Sequence, residues 1–86
     1  MPYIENIRRS RLDPLIDELS LGCRYPGDLA YVITKLALAQ VENQGGKRFS
    51  NMATVDGILG LVQHEFRRKY VDPYEDGMCY ANGDVY

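Results

Sequence analysis

With 86 residues, 45% of them hydrophobic and 26% charged, the chain has the make-up of one small globular domain, not of a disordered or low-complexity segment. A formal charge of -2 and a pI near 5.2 argue against a generally basic protein that coats nucleic acid. Cys23 and Cys79 are too few for a disulfide framework, and no apolar run is long enough for a bilayer. Two reduced thiols in a cytoplasmic protein, away from any membrane, are the expectation.

Met1 to Ser10 opens on an extended Pro2-Tyr3-Ile4 and runs into the basic cluster Arg8, Arg9 and Arg11. Leu12, Leu15, Ile16 and Leu19 then recur at helical spacing. Asp13 is a good N-cap, and Pro14 suits a first turn, where its missing N–H is no loss. The pattern predicts a first helix from about Pro14 to Leu21, stopped at Gly22. Tyr3 to Arg11 is then a short separate helix or turn.

Pro26-Gly27 signals a turn, and Asp28 caps the helix that follows it. Leu29, Val32, Ile33 and Leu36 make one buried stripe there, and Ala30, Ala37, Leu38 and Val41 widen it nearly all round. Such a helix is central and covered on more than one side. In so short a chain, part of that cover comes from another subunit. The helix should end near Asn43, because Gly45-Gly46 supplies the left-handed freedom of a C-terminus.

Ser50 or Asn51 caps a third helix, striped by Val55, Ile58, Leu59, Val62, Phe66 and Tyr70. Gly57 and Gly60 cost about 1 kcal/mol each against alanine, and are either tolerated or mark a close approach by a helix or ligand. Asp72-Pro73 should end or bend this helix. Tyr74 to Tyr86 is acidic and rich in turn formers and tyrosine, without a helical stripe. It reads as an ordered, mostly irregular tail packed back across the helices or onto a neighbour. The expected fold is all-α: a compact three-helix domain over residues 1–86, with a short N-terminal segment and an irregular C-terminal tail, forming a homo-oligomer.

Chemistry-bearing motifs are sparse. His64-Glu65 would need a second histidine one turn on for a zinc protease, and Arg68 stands there instead. The standard phosphate-cradling glycine loops are missing, and Gly45-Gly46-Lys47-Arg48 reads first as a helix-ending loop. Asp13, Asp17, Asp56 and Glu65 give a metal-dependent nucleotide hydrolase as a third-ranked reading, although such enzymes carry denser acidic pairs. No catalytic residue, metal or cofactor is assigned.

Arginine is the better lead. Arg67 and Arg68, with Lys69, sit near a helix C-terminus, where the dipole favours cations. Arg8, Arg9 and Arg11 have no such reason. One account is internal, the arginines pairing with the acidic tail at Asp72, Glu75, Asp76, Asp84 and the C-terminal carboxylate. The other is external, the arginines holding the phosphates of an anionic ligand while Tyr3 or Tyr74 stacks on a base.

Several stretches carry a resemblance: Pro2-Tyr3-Ile4, Arg8-Arg9, Leu12-Asp13, Gly27-Asp28-Leu29, Tyr31-Val32-Ile33-Thr34, Glu65-Phe66-Arg67-Arg68, Pro73-Tyr74-Glu75-Asp76 and the terminal Asn82-Gly83-Asp84-Val85-Tyr86. They resemble a family of small uncharacterised proteins met in tailed phages, prophages and microbial genomes. The resemblance spans nearly the whole chain and implies a setting, the host cytoplasm if phage-encoded, but no catalytic residues. By analogy of size and setting, small oligomeric phage proteins include sponges that sequester the nucleotide signals of bacterial immunity.

The expectation is therefore a non-enzymatic, anti-defence binding module for an anionic, nucleotide-like ligand, held by Arg8, Arg9, Arg11, Arg67, Arg68, Tyr3 and Tyr74. The alternative is a protein-interaction or inhibitor module that docks a host protein through its tyrosine-rich tail.

Overall fold

The computed structural model describes residues 3–86, and Met1 and Pro2 of the expected N-terminal segment lie outside them. Every regular element among the described residues is helical: α1 (Asn6–Gly22), α2 (Pro26–Asn43), α3 (Phe49–Phe66), a π-helical turn (Arg67–Val71) and α4 (Asp72–Asn82). By contacts the chain divides into two compact units, Pro2–Val55 and Asp56–Tyr86.

In the first unit, α1 corrects the expected boundary. It begins at Asn6 and carries Pro14 inside it, so Tyr3 to Arg11 is no separate helix and Pro14 no helix start. Proline in a helix interior removes one backbone donor and crowds the preceding turn. Here every residue of α1 is exposed, so the carbonyl left without its donor stays open to water. Arg, Leu and Glu on either side are good helix formers and carry the helix through.

α2 ends at Asn43 as expected, but it begins at Pro26, so Pro26-Gly27 opens the helix and is no turn before it, and Tyr25, not Asp28, is the N-cap. Asp28 sits in its first turn, and its Oδ2 accepts the backbone N–H groups of Arg24 at 3.0 Å and Tyr25 at 3.1 Å. At the other end Gly45 and Gly46 take positive φ of 112° and 103°. The Gly46 N–H reaches Val41 O at 3.1 Å and the Gly45 N–H reaches Glu42 O at 3.1 Å, the paired bonds of a Schellman ending. The α2 side chains do not form a sealed core, however. Val32, Ala37 and Val41 are half-buried, while Leu29, Leu36 and Leu38 stay exposed. Val55, on α3, is the only buried hydrophobic residue among those described.

Phe49 already lies in α3, so neither Ser50 nor Asn51 precedes the helix as its cap. Asn51 instead donates through Nδ2 to Gly46 O at 2.8 Å, tying the helix start to the loop before it.

In the second unit, Asp72-Pro73 bends the hydrogen-bond pattern without ending the helix. The Asp72 N–H bonds Arg67 O, five residues back, across the π-helical turn. That extra residue widens the turn where Pro73 would otherwise crowd the carbonyl of Lys69. The chain continues as α4 over 11 residues, which replaces most of the irregular tail expected there. Asp72 and Glu75 lie in its first turn, where carboxylates suit the dipole. Gly83, with φ 90°, closes it by bonding Cys79 O at 2.8 Å.

Candidate functional site

The basic residues of α1 lie in the first unit. Arg9 donates from Nε to Ile4 O at 2.9 Å, so its side chain folds back over the helix entry. Arg8 and Arg11, one turn apart, border a hollow of about 200 Å³ together with Leu12. Tyr3 is exposed and precedes this helix. The hollow offers two cations and one apolar side chain, enough for a small anionic group. Pockets for drug-sized ligands run to roughly 300–1,000 Å³.

Arg67 and Arg68 lie in the second unit, inside the π-helical turn. Arg68 Nη2 pairs with Glu65 Oε1 at 2.8 Å, one turn earlier, and not with an acid of the tail. Its hydrogen bond, with Lys69 adding to the field, holds the Glu65 carboxyl below the usual carboxylate range despite a raising effect of partial desolvation. Phe66 and Tyr70 stack across the same turn, ring centroids 5.4 Å apart. The two arginine groups thus belong to different units, and neither unit alone assembles the full set of Arg8, Arg9, Arg11, Arg67 and Arg68.

A larger hollow, of about 460 Å³, lies at the end of α4 and was not foreseen from the sequence. Glu75, Asp76 and Asp84 make its wall acidic, and Met78, Val85 and Tyr86 add apolar surface. Tyr74 is exposed at 64% and Tyr80 at 95%, so the aromatic side chains here project into solvent. The expected packing of the tail back across the helices is not found within this unit, where Tyr80, Val85 and Tyr86 are all open.

Asp13 and Asp17 of the hydrolase reading belong to α1, whereas Asp56 and Glu65 belong to the second unit, and Glu65 is engaged by Arg68. Among the described residues no three histidine, cysteine, aspartate or glutamate side chains converge to hold a metal ion. Cys23 and Cys79 are both free thiols. None of the described helices is long and apolar enough to cross a membrane.

A family model described as Domain of unknown function (DUF6899) matches residues 1–85. The chain belongs to that family. The match covers residues of both units. No curated protein and no solved structure matches the chain.

Proposed function

We propose that the chain is a non-enzymatic helical module that assembles with copies of itself and docks a partner protein through α4 and the tail. The observation that carries this reading is the exposure of Tyr74, Tyr80 and Tyr86 on the same segment as an acidic, partly apolar hollow, which Tyr86 lines. Tyrosine brings large amphipathic contact area at low entropic cost and is enriched in protein interfaces. Carboxylates beside it favour a partner surface that is apolar at its centre and basic at its rim. The resemblance to phage-borne proteins supports a host protein in the cytoplasm as that partner.

The test is recovery of one stoichiometric, mass-identified partner by the full chain, compared with Tyr74→Ala/Tyr80→Ala and with a chain truncated before Pro73. Loss in both variants, with the helicity of the double variant unchanged, is the expected result. Equal recovery by the truncated chain overturns the tail as the docking element.

Arg8 and Arg11 at one hollow favour a second reading, sequestration of an anionic nucleotide-like ligand. That hollow has room for a phosphate group, and Arg9, Arg67, Arg68, Tyr3 and Tyr74 would have to complete the site in an assembled form. Native mass spectrometry of protein purified from cells tests it directly. A retained nucleotide mass, lost in Arg8→Ala, would put this reading first.

A further inference from the structure

We infer that copies of this chain associate through α1, laid antiparallel on the α1 of a second copy across a two-fold axis. This rests on the self-assembling reading above and names the surface that performs it.

Leu12, Leu15, Ile16 and Leu19 share one face of α1, and all are exposed, Leu15 at 63%.

Charge selects the orientation. The first half of α1 carries Arg8, Arg9 and Arg11 ahead of Asp13, and the second half carries Asp17 and Glu18 and no cation. Parallel pairing would set like charges side by side, whereas antiparallel pairing sets the basic half of each copy on the acidic half of the other. Arg11 and Glu18 are seven residues apart, hence on one flank of the apolar face, two turns from each other. An antiparallel register centred between Pro14 and Leu15 brings Leu12 close to Ile16 of the second copy and Arg11 opposite its Glu18. The pairing occurs twice by symmetry. Pro14 falls on the opposite side of the helix from this stripe, so it does not interrupt the contact. The N-terminal arginines, unfavourable beside a helix start, thereby gain an intermolecular reason.

Charge exchange on the full chain tests the register. Wild type should sediment as a dimer or a higher even-numbered assembly. Arg11→Glu and Glu18→Arg should each weaken self-association roughly tenfold, by turning two attractions into repulsions. The double variant Arg11→Glu/Glu18→Arg should recover it. Mixing the two single variants should give mixed assemblies, by native mass spectrometry, well above the statistical share, because both cross-pairs are then attractive. If a single variant loses helicity by circular dichroism, the double variant still decides. A wild-type monomer overturns self-assembly itself and the α1 pairing with it. An oligomer indifferent to all these changes overturns only the α1 pairing and leaves self-assembly standing.

Discussion

The carboxylate of Asp28 turns back on Tyr25, three residues earlier, and accepts its backbone N–H at 3.1 Å, with the Arg24 N–H at 3.0 Å on the same oxygen. Both donors belong to the entry of α2 and have no intrahelical acceptor of their own. Asp28→Ala removes both bonds and a favourable charge at the positive end of the helix. We expect a loss of about 1–2 kcal/mol, read from chemical denaturation, with Asp28→Asn recovering part of it. An unchanged denaturation midpoint in Asp28→Ala would mean that solvent replaces the carboxylate without cost.

Glu65 gives a pH dependence with a definite sign. Its carboxyl titrates below the ordinary carboxylate value, first because of the Arg68 hydrogen bond. A depressed folded-state pKa contributes stability that is present above the unfolded value and is lost as pH falls through the folded one. The pair is surface-exposed on the Arg68 side, so its contribution is small and weakens with salt. In Arg68→Ala the Glu65 carboxyl should titrate closer to an ordinary glutamate, while Lys69 keeps some depression. Carboxyl-detected NMR titration of Glu65 reads this directly, and an identical midpoint in the variant would contradict it.

Pro14 lies inside an exposed helix, where proline is roughly 3 kcal/mol less favourable than alanine. Nothing buried depends on its ring, because every residue of α1 is exposed. Pro14→Ala should therefore raise helicity at 222 nm and stabilise α1 by about 1–3 kcal/mol. The gain falls below the full propensity difference because the unfolded chain also becomes freer. A loss of helicity would show that the proline bend is required by whatever packs on α1.

How much of this was legible depended on which signals are local. Gly45-Gly46 and Asp28 were readable because positive φ and end-capping are decided by a few neighbouring residues. Leu29 through Val41 announced a helix, and the shortness of the chain announced that its cover would be incomplete, but periodicity reports a face and not its partner. The helix α4 was missed because it is short, 11 residues, and its Pro73, Asp76, Gly77 and Asn82 read as turn formers. Its remaining marks were Asp72 and Glu75 in the first turn, Pro73 beside them and Gly83 at the end. For the arginines, the spacing of Glu65 and Arg68 already allowed their pairing, whereas the hollow bordered by Arg8 and Arg11 needed the helix to start at Asn6, ahead of both.

Pro73 gives the last prediction, which concerns the π-helical turn. The Asp72 N–H bonds Arg67 O, five residues back, and Pro73 itself offers no N–H to Lys69 O. Pro73→Ala restores that donor and removes the ring that crowds the preceding turn, so the segment from Arg67 to Val71 can adopt ordinary four-residue bonding. Removing one inserted residue from a helix turns everything beyond it by about 100° relative to what precedes. Tyr74 and Tyr80 would then leave the side of the helix they now occupy relative to Phe66 and Tyr70. We expect Pro73→Ala to be at least as helical as wild type, yet to lose partner recovery through the tail. Backbone chemical shifts of residues 67–73 report the change of pattern. Retained π-type bonding there would mean that Asp72 and the Phe66–Tyr70 stack hold the turn without the proline.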